Sequence, residues 1–279
     1  ANNMISGNTR EDGSKCGFGG CYYNRPSDRK DDYNEVSARI GASTNYDDIN
    51  FFTQVSLGFR PPQINEAYRL QKKQNVTDLD SEKLTMFEFG SRYESDYVNG
   101  SISFYKSKKK NSIFRDSQNF IVDNGKTDHK GIELSLNFDV SPNNLLITNI
   151  TYGDHKYDFE TDTSMREKIR IGNKIDTAPK LMANLIWNTN LNNNSSFSIE
   201  IEHMSSYFTD AANLHEYEGH TLYHARYNKK ISDDFKLYVR VDNIFDKRYA
   251  ERADFNAFGG DRYFPGLPRE FYLGLEYTL

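Results

Sequence analysis

The chain has 279 residues, of which 37% are apolar, 27% charged and 14% aromatic, with 35 basic against 40 acidic side chains. That apolar share is low for a soluble domain of this length, which would have to bury a large core. The net charge of −5 gives no reason to propose a nucleic-acid partner, and no apolar run reaches the ~18 residues of a transmembrane helix.

From the first third of the chain onwards the sequence alternates with a period of two, which places successive side chains on opposite faces of a β-strand. Val36, Ala38, Ile40 and Ala42 interleave with Ser37, Arg39, Gly41 and Ser43. Phe51, Thr53, Val55, Leu57 and Phe59 form the next such set, and Ile132, Leu134, Leu136, Phe138 and Val140 another. Phe197, Ile199 and Ile201 alternate with Ser198, Glu200 and Glu202, and Leu237, Val239 and Val241 with Tyr238, Arg240 and Asp242. The last stretch repeats the pattern: Phe271, Leu273, Leu275, Tyr277 and Leu279 against Tyr272, Gly274, Glu276 and Thr278. Apolar-out and polar-in alternation fits a transmembrane β-barrel, because lipid covers the apolar face and the lumen is wet. The many Tyr and Phe fit the aromatic girdles of such barrels.

Breaks at Gly, Pro, Asn and Asp then predict about eleven strands, at 33–46, 49–60, 83–95, 98–114, 128–140, 144–156, 177–190, 195–208, 219–231, 234–245 and 268–279. Their connections alternate between short turns and long polar segments at 61–82, 115–127, 157–176, 209–218 and 246–267. Short turns on one rim and long loops on the other are the habit of outer-membrane barrels, whose long loops face the cell exterior. The expected fold is therefore all-β: an antiparallel transmembrane β-barrel segment with Leu279 on the periplasmic side. An odd strand count would leave two lipid-exposed edges, so the segment is expected to belong to a larger barrel. No charged-then-apolar leader is found at Ala1, so a signal peptide has been removed or the chain begins inside its gene.

Cys16 and Cys21 flank a Gly-rich stretch assigned to the exterior, where a small disulfide-closed loop is the expected state. No His lies near the pair in sequence, which speaks against a metal site there. The six histidines are His129, His155, His203, His215, His220 and His224. His215, His220 and His224 could converge on a metal, but spacings of five and four without a helix read more simply as solvated loop histidines. No Gly-x-Ser-x-Gly or phosphate-loop spacing occurs, so no enzyme and no cofactor are expected.

Three segments carry a resemblance to a known family. Val241-Asp-Asn-Ile-Phe-Asp-Lys-Arg-Tyr-Ala250 resembles the penultimate-strand signature of the TonB-dependent outer-membrane receptors. Gly259-Gly-Asp-Arg-Tyr-Phe-Pro-Gly-Leu-Pro-Arg-Glu-Phe271 resembles their last extracellular loop, and Gly58-Phe-Arg-Pro-Pro-Gln-Ile-Asn-Glu-Ala-Tyr-Arg69 a segment that follows a mid-barrel strand. The chain departs from the family at Leu279, where a Phe or Trp is usual.

The resemblance implies that residues 1–279 are the C-terminal half of a 22-stranded barrel, without the N-terminal plug. It further implies a bacterial outer-membrane receptor for a scarce nutrient, such as a ferric siderophore or other iron complex, energised by the TonB complex acting on the plug. A passive porin or a structural outer-membrane barrel is the alternative. Its partners would be outer-membrane lipid, the plug and upstream strands, TonB and the extracellular ligand. Arg and Tyr suit anionic, oxygen-rich ligands through charge-assisted hydrogen bonds and stacking. The candidate ligand contacts are Arg60, Tyr68, Arg69, Tyr217, Arg252, Arg262 and Tyr263. For each arginine the structural alternative is a pair with a lumenal Asp or Glu.

Overall fold

The computed structural model describes residues 15–16, 23–24, 30–68, 70–71, 74, 79–163 and 167–278. One antiparallel sheet of eleven strands dominates. Its members, in chain order, are β1 (Ala38–Tyr46), β2 (Ile49–Arg60), β3 (Glu82–Glu94), β4 (Val98–Arg115), β5 (Ile121–Ser141) and β6 (Asn144–Tyr157). They continue with β7 (Leu181–Asn192), β8 (Ser195–Met204), β9 (His220–Lys230), β10 (Phe235–Asp242) and β11 (Glu270–Tyr277). Every strand pairs with its sequence neighbours, and β1 and β11 form the two edges of an open sheet. All eleven expected strands are present.

Register sorts the two faces. Thr53, Phe89, Phe104, Ile132, Tyr152 and Leu181 are cross-strand partners in one row. Phe89, Phe104, Ile132 and Tyr152 in this row are exposed. The next row, on the opposite face, reads Gln54, Glu88, Tyr105, Gly131 and Gly153. At the C-terminal side Phe197, Tyr227, Val239 and Leu273 align on the apolar face, and Ser198, Arg226, Arg240 and Tyr272 on the polar one. On the polar face the Tyr238 ring covers Gly274, and a Cβ there would collide with it. Among the described residues the sheet therefore encloses no apolar core, and three small buried clusters lie at the long-loop end, centred on Leu70 and Ile113, on Tyr207 and Tyr217, and on Tyr157 and Ile169.

Two-residue turns at 47–48, 142–143 and 193–194 and slightly longer ones at 95–97 and 231–234 occupy one rim. The opposite rim carries the connections 61–81, 158–180, 205–219 and 243–269. Three expectations need correction here. The loop at 115–127 shrinks to 116–120, because β4 and β5 pair far beyond the apolar band through two register shifts. The stretch 61–82 contains a five-residue helix, Ile64–Tyr68. The last loop holds its own ribbon, Ala250–Asn256 paired with Gly260–Pro265. Among the described residues no helix is long and apolar enough to cross a membrane, which says nothing about crossing by strands. Cys16 is disulfide-bonded, while Cys21 lies outside the described residues.

The Asn243–Lys247 segment is a turn that stitches β10 to the chain entering β11. Asn243 and Asp246 adopt positive φ (49° and 51°), a region Asn and Asp tolerate better than most residues. The buried Asn243 side chain accepts from Lys247 N (2.8 Å) and donates to Lys247 O (2.9 Å) and Leu267 O (3.2 Å). Asp246 Oδ1 accepts from Arg269 N at 3.0 Å.

Candidate ligand-binding mouth

The long connections interlock through backbone capture. Asp116 and Asp210 each open an Asp-x-x-Asn turn whose Asn sits at positive φ (Asn119 66°, Asn213 60°). Asp116 Oδ1 accepts from Gln118 N (2.9 Å) and Phe120 N (2.8 Å), and Asp210 Oδ1 from Leu214 N (2.9 Å) and His215 N (2.8 Å). Glu167 joins the two turns: one carboxylate oxygen accepts from Ser117 N (2.8 Å), the other from Ala211 N (3.0 Å). Each of these carboxylates is buried and engaged with amides. Asp176 stands beside them and accepts a 2.6 Å bond from the Tyr157 hydroxyl. Burial, reinforced by Glu167 and Asp210, holds Asp176 above the usual carboxylate range.

The 250–265 ribbon docks on this assembly through two tyrosines. The Tyr217 hydroxyl lies 3.0 Å from Ala250 N and 3.2 Å from Ala250 O; the Tyr207 hydroxyl lies 2.8 Å from Ala253 N and 3.2 Å from Ala253 O. Asp254 and Arg262 are cross-strand partners in the ribbon. Asp254 takes Arg262 Nε at 2.5 Å and Arg252 Nη2 at 3.1 Å. Arg115, Glu167, Asp210, Arg252, Asp254 and Arg262 line a cavity of about 210 Å³ between these loops. The carboxylates face backbone amides and arginines, whereas the Arg252 and Arg262 side chains remain 64% and 51% exposed. Tyr263 and Phe264, on the same ribbon, are exposed as well. Cationic forks beside exposed rings can hold an oxygen-rich anionic group, and the cavity has room for one part of such a ligand rather than the whole.

The sequence candidates thus divide. Arg252, Arg262, Tyr263 and Tyr217 come together on the ribbon, Tyr217 as a buried strut. Arg60 ends β2 in a bidentate pair with Glu66 (3.0 and 3.1 Å) and a further bond to the buried Glu82, which also takes Lys109 Nζ and Ile113 N, each at 2.8 Å. Tyr68 closes the short helix and packs against the Leu70 cluster. Arg69 lies outside the described residues. Arg115, Glu167 and the two Asp-x-x-Asn turns were missed by sequence reasoning, although the repeated spacing at Asp116–Asn119 and Asp210–Asn213 was there to be read.

The histidines are strand and loop-wall residues rather than solvated loop groups. His129 and His155 face each other with Nδ1 atoms 2.9 Å apart. His215 stacks on Phe255 at 3.7 Å, His220 meets Tyr217 and Tyr249, and His224 Nδ1 lies 3.3 Å from Asp242. The three do not converge.

Residues 7–244 match the protein family described as TonB dependent receptor-like, beta-barrel. The chain belongs to that family. Solved structures of similar fold include the siderophore receptor PiuA from Acinetobacter baumannii (TM-score 0.72, 17% identity, 86% of this chain and 35% of that one). The ferric citrate transporter FecA matches with TM-score 0.70 and 20% identity over 87% of this chain and 38% of its own. The copper transporter OprC matches with TM-score 0.69 and 17% identity over 86% and 39%. No curated protein sequence matches. The chain spans little more than a third of the length of these structures. As a TonB-dependent receptor-like barrel, it has its apolar face outside and its polar face in the lumen.

Proposed function

We propose that the complete protein is an energy-coupled receptor of the bacterial outer membrane that takes up a scarce nutrient, an iron complex such as a ferric siderophore. The observation that carries this reading is the family match over residues 7–244. Three features support it: the strands with their short-turn and long-loop rims, the arginine and aromatic mouth built by the long loops, and fold neighbours named as siderophore, citrate-iron and metal transporters. In this reading residues 1–279 are the C-terminal half of the barrel. Upstream strands close it, an N-terminal plug fills it, and TonB acts on the plug. Arg252, Arg262 and Tyr263 touch ligand directly. Arg69 remains a candidate ligand contact, Arg60, Tyr68 and Tyr217 shape the loops around the ligand, and a Cys16–Cys21 disulfide fixes a loop tip.

Growth on ferric citrate or a ferric catecholate as sole iron source, scored in a gene deletion and its complement, tests the transport role. Conductance of the complete protein in planar bilayers separates it from a passive porin: a plugged receptor is closed, and a steady open channel would overturn the reading.

A further inference from the structure

Met182, Met204 and His220 are successive cross-strand partners on β7, β8 and β9. They share the lumenal face with Ser198 and Arg226 and stand at the long-loop ends of their strands. Asn184 and Glu202, themselves partners, lie two residues deeper on the same face. With Thr151, these residues line a cavity of about 360 Å³. Among the described residues no Lys or Arg lines it, so Glu202 sets its charge. Met204 packs against the Tyr207 and Tyr217 cluster. Met182 is 46% exposed on a face that is otherwise largely polar, so packing does not explain a thioether there.

His220 is held by its Nδ1. The Tyr217 hydroxyl accepts from Ala250 N at 3.0 Å and has one proton to give. Given to Ala250 O (3.2 Å), it leaves His220 Nδ1–H to donate to the same hydroxyl (2.9 Å), and all three contacts are made. Given to Nδ1 instead, it leaves Ala250 O without that bond. The tautomer that satisfies every partner carries its lone pair on Nε2, the form in which a histidine ligates a metal. We propose that Met182, Met204 and His220 bind a soft monovalent cation, Cu(I), in the lumen wall below the mouth, through two thioether sulfurs and Nε2. Directly opposed side chains on neighbouring strands start about 4.5–5.5 Å apart at Cβ, and the three rotatable bonds of methionine let both sulfurs turn to one point beside the ring. Thioethers select Cu(I), whereas hard cations take oxygen ligands. Among the described residues no three His, Cys, Asp or Glu are grouped to hold a metal, so a hard cation finds no equivalent site. Glu202 offsets the charge of the ion and disfavours an anionic occupant. The site depends on the lumenal orientation of this face, not on which nutrient the loops capture.

The test uses the complete receptor, purified in mild detergent and titrated with Ag(I) in chloride-free buffer. Ag(I) is the probe because it is soft and monovalent and needs no reductant; Cu(I), added without oxygen, should displace it. Silver retained after dialysis is counted by elemental analysis. The M182L/M204L variant keeps side-chain volume and removes both sulfurs. It should migrate like the parent on unheated gels and lose one equivalent of retained silver, with affinity at that site at least about tenfold weaker, since even an outer partner of a metal ligand is worth about 10- to 100-fold. M182L alone, at a half-exposed position, should weaken binding in the same direction and serves if the double variant assembles poorly. Zn(II) at the same concentration should leave the silver in place. Equal retention by the parent and both variants overturns the site. Displacement by Zn(II) as effective as by Cu(I) also overturns it, because the ligands would then be nitrogen and oxygen rather than the thioethers.

Discussion

The Tyr207 hydroxyl sits 2.8 Å from the amide nitrogen of Ala253 and 3.2 Å from its carbonyl oxygen. A side chain here does what a neighbouring strand would do, and Tyr217 repeats it three residues away at Ala250. The 250–265 ribbon, outside the main sheet, is thereby held to the loop assembly without a ladder of its own on that edge. Tyr207→Phe should leave the buried Ala253 amide unpaired at a cost of about 1–3 kcal/mol. Hydrogen exchange in the complete receptor is expected to speed up across 250–256 and to stay unchanged in β2 to β6. Unchanged exchange in the ribbon would mean that its other ties, among them Phe255 N on Thr209 O and Ala257 N on Ser117 O, hold it without Tyr207.

Glu167 is expected to be the pin of the mouth. Glu167→Ala removes the acceptor for both Ser117 N and Ala211 N and should destabilise the loops by roughly 2–4 kcal/mol, at about 1–3 per orphaned amide with partial recovery by water. Glu167→Gln keeps one acceptor and should fall between. Limited proteolysis within 116–120 and 205–219 reads the order: parent most resistant, then Gln, then Ala.

The strands were legible from sequence because each carries one lipid face and one lumenal face, and a period-two pattern records that division residue by residue. The mouth was not. Its ribbon is held by Tyr207 on Ala253, and its turns by Glu167 on Ser117 and Ala211, contacts that span more than forty positions and leave no local period. The strand start at Ile121 was missed because β5 beyond the apolar band, Ile121–Thr127, no longer alternates against lipid. Two local features went unread although each is set by its own side chain: the Asn243–Asp246 turn and the repeated Asp-x-x-Asn.

Asp176 makes the mouth sensitive to pH. Its folded pKa is raised, so the protonated acid is the form that the folded loops prefer. Its contribution to stability is complete below the unfolded value of about 3.9 and is lost as pH rises through the raised folded value. Asp176→Asn keeps an acceptor for Tyr157 and removes the charge. Near pH 7 the variant should show slower hydrogen exchange than the parent over 157–176, and the difference should vanish near pH 4. A variant less protected at neutral pH would reverse the assignment.

Arg60 and the ribbon arginines should behave differently when removed. Arg60→Ala strips the buried Glu82 of one partner and is expected to lower surface level by destabilising the loop, by about 1–3 kcal/mol, while uptake per assembled receptor holds. Arg252→Ala combined with Arg262→Ala removes both exposed forks and also leaves the buried Asp254 without its two arginine partners, so surface level should fall as well and uptake is scored per assembled receptor. Uptake per assembled receptor should fall roughly ten- to a hundredfold at limiting ligand, the loss expected for one charge-assisted contact of about 1.5–3 kcal/mol. Quantitative surface labelling with uptake in the same cells separates the two outcomes, and equal uptake in the double variant would remove the ribbon from the binding site.

The most direct test of the whole account is uptake of radioactive iron, supplied as ferric citrate or a ferric catecholate, by cells expressing the complete gene. Parallel measurements use the deletion strain and cells treated with a protonophore. An energy-coupled receptor predicts rapid, saturable accumulation that drops to the deletion background when the inner membrane is de-energised. Accumulation that persists at full rate under protonophore, or that equals the deletion background for every iron complex offered, would contradict it.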